Sequence, residues 1–108
     1  MGTKIIKLDV AEIVKKELNL SYEHFPAFNS AHEGYAVLLE EVEELQDEVK
    51  FITGEMSTWW DVVKRNDIDC NDFMLNGIEE SAIKAACEAI QVAAMCQKFR
   101  KSLLEQEG

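Results

Sequence analysis

The chain has 108 residues, enough for one domain with a small core, and its 47% hydrophobic and 30% charged content is typical of a globular protein. Its 11 basic and 21 acidic side chains give a net charge of −10, which argues against a broad basic surface for nucleic acid or anionic membrane. The charged N-terminus is unlike a signal peptide, no apolar run approaches a bilayer span, and three cysteines without a CxxC spacing favour a reduced, cytoplasmic protein.

The first 29 residues predict one helix and a connector. Apolar side chains share one face over about residues 10–19, and Asp9 is placed to cap the start of that helix. Residues 21–29 read as a connector because they contain the single proline, Pro26, which disfavours helix before it. Three aromatic side chains in the connector are expected to pack on the core, with a ligand pocket as the alternative: Tyr22, Phe25 and Phe28.

A central helix is predicted from Ser30 to Thr53. Ser30 and Glu33 have the spacing of a capping box, and Gly54 is a natural stop. At about 100° per residue, one side of this helix is an apolar stripe that must be buried. The stripe comprises Leu38, Val42, Leu45, Val49 and Ile52, with Tyr35 at its edge.

Acidic side chains flank that stripe. Glu41, Glu44 and Glu48 lie beside it, where like charges one helical turn apart repel one another and favour a cation between them. A hard divalent cation such as Mg²⁺ fits, because it binds oxygen ligands and works from a few carboxylates. The alternative is a solvated acidic face, which is the preferred interpretation for the outward-pointing Glu40, Glu43 and Asp47.

The stretch over residues 55–76 is predicted as a short helix followed by a loop. The helix covers residues 58–65, and the loop is the Asn- and Asp-rich segment 66–76. The adjacent Trp59 and Trp60 cannot share one helix face, so we expect one in the core and the other at a subunit interface or stacked on a base. The basic pair Lys64 and Arg65 reads as solvent-exposed.

A last helix is predicted over about residues 77–105, with Asn76 as its cap. It is apolar around most of its circumference, which indicates burial on several sides or an oligomer interface near Ile90 and Ala94. One polar stripe interrupts it, formed by Lys84, Glu88, Gln91 and Lys98. Glu88 and Gln91 need partners, either in an interhelical hydrogen-bond network or in a site begun by Glu41 and Glu44.

Two helices that each present an acidic pair from an apolar face resemble the MazG-like all-α nucleoside triphosphate pyrophosphohydrolases. Residues 40–44 match that family's EExxE motif, and residues 88–91 match its ExxD motif except that Gln91 replaces the aspartate. The strings SAHEGYAVLLEEVEEL and EAIQVAAMCQKF look like a small phage and bacterial branch. The likeness covers about residues 30–53 and 80–100, and the gap between the two motifs is longer than usual for the family.

The resemblance implies a single all-α domain over residues 1–108, a helical bundle assembled as a homodimer or homotetramer. It also implies hydrolysis of an NTP or dNTP to the monophosphate and pyrophosphate, as in house-cleaning of nucleotide pools, with Mg²⁺ or Mn²⁺ as cofactor. The metal ligands would be Glu41, Glu44, Glu88 and Gln91. The catalytic set would be Glu40, Glu41 and Glu44, with Glu40 or Glu48 taking the proton from water. The substrate contacts would come from His32, Trp59, Trp60, Lys84 and Lys98, with Phe28 as a further base contact.

Two other classes remain open. One is a non-catalytic helical module of the same fold that oligomerises or binds nucleotide, which the Gln91 replacement favours. The other is a homo-oligomeric interaction protein whose acidic cluster is solvated. Stabilisation by Mg²⁺ separates these from a true metal site, since only a site in the native state stabilises by mass action.

Overall fold

The computed structural model describes residues 3–24 and 27–107, and within these ranges it contains three α-helices, one 3-10 turn and no strand. Helix α1 spans Thr3–His24, α2 spans Ala31–Lys64 and α3 spans Asn71–Glu107. A single 3-10 turn, Ile68–Cys70, precedes α3. The all-α fold expected from the sequence is confirmed. None of the helices in the described ranges combines the length and apolar composition needed to cross a bilayer.

Helix α1 is longer at both ends than its apolar pattern predicts. Asp9 lies inside the helix, so its predicted role as a cap is wrong, and the first part of the predicted connector is helical through His24. No glycine or proline interrupts residues 3–24, and each residue added to an existing helix gains a backbone hydrogen bond. Phe25 and Pro26 lie outside the described residues, and Phe28 packs in the core as expected.

The start of α2 agrees with the predicted cap. The backbone N–H of Glu33 donates to the Ser30 hydroxyl at 3.2 Å, as in a capping box. The Glu33 carboxylate accepts hydrogen bonds from the backbone N–H and the side-chain amide of Asn29, at 3.4 and 3.1 Å. The residue before Ser30 therefore supplies the second half of the capping arrangement.

The predicted stop of α2 at Gly54 is wrong, because the helix runs on to Lys64. Gly54 does not have a positive φ, and a glycine inside a helix costs only about 1 kcal/mol. Contacts made by the residues beyond Gly54 offset that cost. Val62 is buried, and the Trp59 indole N–H donates to the Asn71 side chain at 2.9 Å. The chain leaves the helix at Asn66, which has a left-handed φ of 57°.

The predicted loop over residues 66–76 is also wrong, because α3 begins at Asn71 and not after Asn76. Met74 and Ser81 are buried and lie at helical spacing along the start of α3. Asn71 is held by the Trp59 indole at the beginning of that helix. The Asn- and Asp-rich composition suggested loop, but burial of Met74 favours helix.

The chain divides into two compact units. The first unit contains the residues through Val42 and those from Ala89 onward, and the second unit contains Glu43–Glu88. In the first unit the buried core comprises Val14, Phe28, Ala94 and Met95. Ala94 is fully buried within the single chain, so it belongs to the core of this unit.

The second unit buries fewer side chains, namely Val62, Met74 and Ser81 among the described residues. The apolar stripe of α2 is only partly covered within the single chain. Leu45 and Ile52 are half-buried, but Val49 is 49% exposed, and Tyr35 at the edge of the stripe in the first unit is 63% exposed. Burial of this stripe is therefore incomplete within the single chain.

Candidate functional site

Two carboxyl groups meet in the second unit. Glu44 on α2 is exposed, and Glu88 on α3 is half-buried. The pKa of Glu88 is raised, first by burial, then by a hydrogen bond and charge repulsion from Glu44, and finally by repulsion from Glu48. A hydrogen bond between two carboxyl groups requires a proton, so Glu88 holds one more strongly than an isolated glutamate does.

Glu41 lies one helical turn before Glu44 on the same helix and is half-buried. One carboxylate oxygen from each of Glu41, Glu44 and Glu88 can be chosen so that all three atoms lie within 4.8 Å of one another. Three oxygen ligands that repel one another are a donor set suited to a hard divalent cation. The structure therefore brings together three of the four metal ligands expected from the two motifs.

The remaining acidic residues of α2 differ in exposure. Glu40, Glu43 and Asp47 are exposed, as their outward positions on the helix predict. Glu48 is half-buried, and its charge contributes to the raised pKa of Glu88. Of the two candidate proton acceptors, Glu48 is thus the one whose charge raises the pKa of Glu88.

Gln91 has a specific partner in the first unit. Its side-chain amide nitrogen donates to a carboxylate oxygen of Glu17 on α1 at 2.7 Å. An aspartate at position 91 could not donate this hydrogen bond, and it would repel Glu17. The glutamine that replaces the aspartate of the ExxD pattern is therefore complementary to Glu17 on α1.

The first unit also contains a partly open cavity of about 610 Å³, which is within the usual range for ligand pockets. Its apolar wall includes Phe28, Val37 and Met95. The polar residues at its surface are Glu17, Ser21, His24, Glu33, Glu41, Gln91 and Lys98. Glu17, Ser21, His24 and Glu33 were not predicted as site residues. The sequence signal that could have located this cavity was the group of aromatic residues between Tyr22 and Phe28, for which a ligand pocket was one of the two interpretations.

Lys98 is the most unusual residue of this cavity, because only 1% of its surface is exposed. Its ammonium group donates to the Ser21 hydroxyl at 2.9 Å and lies 3.5 Å from the Ser21 carbonyl oxygen. It also lies 5.1 Å from the centre of the Phe28 ring and 5.6 Å from that of Tyr22. Burial lowers the pKa of Lys98, and the charge of Glu33 opposes that shift.

The other predicted substrate contacts lie elsewhere. His32 is exposed and borders a shallower depression of about 320 Å³ with Tyr35 and Phe99. In the second unit Trp59 is half-buried, Trp60 is 59% exposed beneath the ammonium of Lys64, and Lys84 is exposed. Neither tryptophan lines the 610 Å³ cavity.

Comparison with known proteins adds no relative. No family model matches the chain, and no match was found among curated proteins or among solved structures. The resemblance to the MazG-like enzymes therefore rests on the two motifs and their apolar surroundings.

Proposed function

We propose that this protein is a Mg²⁺-dependent nucleoside triphosphate pyrophosphohydrolase that releases pyrophosphate from an NTP or dNTP. The observation that carries the proposal is the group of carboxylates from Glu41, Glu44 and Glu88, with oxygens within 4.8 Å of one another. The raised pKa of Glu88 supports it, because after burial its causes are the hydrogen bond and repulsion from Glu44 and the repulsion from Glu48, and a divalent cation removes such repulsion.

In this proposal Glu41, Glu44 and Glu88 hold the metal, with Gln91 as a weaker fourth ligand as the motif implies. Mg²⁺ bound there would neutralise part of the negative charge on the phosphate oxygens and would lower the pKa of a water molecule that it binds. Glu48 accepts the proton of the attacking water, because it is half-buried and already interacts electrostatically with Glu88. Glu40 is the less favoured acceptor, because it is exposed on the far side of the acidic face.

The proposal assigns the two candidate lysines different roles. Lys84 is exposed and lies one turn before Glu88 on α3, so it can meet the leaving pyrophosphate. Lys98 is buried against Ser21 and two aromatic rings, which makes it a poor contact for a hydrated polyphosphate. Trp60 and His32 are exposed, and as candidate substrate contacts they lie outside the lining of the 610 Å³ cavity.

The test is pyrophosphate release from a panel of canonical and modified NTPs with Mg²⁺, alongside the melting temperature with and without the metal. Glu44→Gln should abolish both the release and the Mg²⁺-dependent rise in melting temperature while leaving the helical spectrum unchanged. Glu43→Gln is the matched control, because this neighbouring exposed glutamate is outside the three-carboxylate group. If Glu44→Gln binds Mg²⁺ as well as the parent does, the acidic helix is a solvated face and the proposal is wrong.

We also propose that the protein is a homodimer or homotetramer. Val49, Met56, Trp60 and Val63 are between 40% and 59% exposed and lie along one side of α2. A continuous exposed apolar stripe of this kind is typical of an interaction surface. Light scattering should give a dimer or larger species for the parent and a smaller one for Trp60→Glu. Phe51→Glu on the opposite side of α2 should have little effect, and a monomeric parent at micromolar concentration would refute the assembly.

A further inference from the structure

The 610 Å³ cavity of the first unit carries charges that limit what it can bind. Three carboxylates line it, those of Glu17, Glu33 and Glu41, against one buried ammonium, that of Lys98. A phosphate group placed there would face net negative charge. A neutral ligand that both accepts and donates hydrogen bonds avoids that repulsion and can pair with the ammonium and with the carboxylates, and the largely apolar wall of Phe28, Val37 and Met95 suits a flat ring.

The polar groups of the cavity are complementary to a ring that carries both a hydrogen-bond acceptor and a hydrogen-bond donor. Lys98 offers N–H donors, and a ligand oxygen could replace its long 3.5 Å contact with the Ser21 carbonyl. Glu17 and Gln91 are already joined at 2.7 Å by one oxygen and one amide nitrogen. Among the groups that the structure describes, none donates to the second oxygen of Glu17 or to the amide oxygen of Gln91. Both atoms can accept hydrogen bonds from a ligand amine.

We propose that this cavity binds a neutral nucleobase that carries both a ring carbonyl and an exocyclic amine, with the carbonyl at Lys98 and the amine at Glu17 and Gln91. Guanine and cytosine have both groups, adenine lacks the carbonyl, and uracil lacks the amine. The inference rests on the proposed nucleotide hydrolysis for its biological context, and it names the class of base that the substrate would carry. It assigns the amide oxygen of Gln91 to base recognition, so that in this inference the metal is held without Gln91.

The test uses nucleosides without phosphate and with the metal chelated, so that it does not depend on hydrolysis. In an NMR titration of the full chain, the Met95 methyl signal should shift on addition of guanosine or cytidine, and the Met74 signal of the second unit should not. Guanosine should bind at least about tenfold more tightly than inosine, which lacks only the exocyclic amine. Adenosine and uridine should also bind at least about tenfold more weakly. Absence of guanosine and cytidine binding, or equal binding of all five nucleosides, would overturn the proposal.

Two variants locate the binding. Lys98→Met keeps the length of the buried side chain and should weaken guanosine binding about tenfold, whereas Lys101→Met, at an exposed position on the same helix, should not. Equal guanosine affinity in a folded Lys98→Met protein would contradict the assignment. Glu44→Gln should lose pyrophosphate release and keep nucleoside binding. Nucleoside binding by a parent protein that hydrolyses no NTP would overturn the hydrolase proposal alone, and hydrolysis without nucleoside binding would overturn the cavity proposal alone.

Discussion

The two units of the chain differ in what they bury. The first unit packs Phe28 against Phe99 edge to face, with ring centres 5.9 Å apart, around a core that also contains Met95. It buries a lysine and a serine hydroxyl that are hydrogen-bonded to other segments of the same unit. The second unit buries only a few of its described side chains and contains the hydrogen-bonded carboxyl pair of Glu44 and Glu88, in which the pKa of Glu88 is raised.

The first unit thus contains most of the tertiary packing, and the second contains the carboxyl pair of the candidate site. Where many apolar side chains converge, a buried polar group such as Lys98 can be retained because its hydrogen bonds are satisfied. Where a helix pair is thinly covered, half-buried carboxylates stay close to water, which a hydrated metal ion requires. We therefore expect stability to depend most on the first unit, and sensitivity to pH and Mg²⁺ to reside in the second.

The largest expected effect is that of truncating a buried phenylalanine in the first unit, and truncation of an exposed phenylalanine in the second unit is its comparison. Phe28 is 7% exposed in the first unit, so Phe28→Ala should lower the free energy of unfolding by about 3–5 kcal/mol. Phe73 is 76% exposed in the second unit, so Phe73→Ala should change it by less than about 0.5 kcal/mol. Urea denaturation followed by circular dichroism measures both values. Equal costs would show that the two units do not differ in this way.

Substituting alanine for each of two glycines of α2 should change the free energy of unfolding in opposite directions. A Cβ on Gly34 would lie 2.9 Å from the Phe99 ring, so Gly34→Ala should destabilise the protein by about 1–3 kcal/mol through overpacking. A Cβ on Gly54 would meet no atom within 4 Å, so Gly54→Ala should stabilise α2 by about 0.5–1 kcal/mol. Thermal melts of the two variants provide the measurement. A stabilising Gly34→Ala would mean that α2 and Phe99 are not closely packed.

The smallest effect concerns the pH dependence of the second unit. Because the folded-state pKa of Glu88 is raised above its ordinary value of 4.5, the folded protein binds more protons than the unfolded chain above that pH. Stability contributed by this proton is present at low pH and is lost as the pH rises through the raised pKa.

Glu88→Gln should remove that decline, so the variant should lose less stability than the parent as the pH rises above about 4.5. Chemical denaturation at a series of pH values tests this, with Glu80→Gln on the exposed side of α3 as the control. If Glu88→Gln and the parent show the same slope, the carboxyl pair does not share a proton in solution.

Local patterns in the sequence were sufficient for several features. The all-α class follows from helical periodicity, and the Ser30 cap follows from side-chain chemistry within four residues. Glu41, Glu44 and Glu88 were selected because they flank apolar stripes, and the structure brings their carboxylates together. Each of these depends on neighbours along one helix, which a single sequence displays directly.

Contacts between distant residues decided the rest. Gly54 does not end α2, and Asn71 begins α3, where Trp59 binds Asn71 across 12 positions. Gln91 is joined to Glu17 across 74 positions, and Lys98 to Ser21 across 77. Burial of a polar group is decided by partners on other helices that satisfy its hydrogen bonds, and helical periodicity contains no information about those partners. The sequence alone therefore located the carboxylates, but only the tertiary structure placed a lysine and a glutamine at the wall of a cavity.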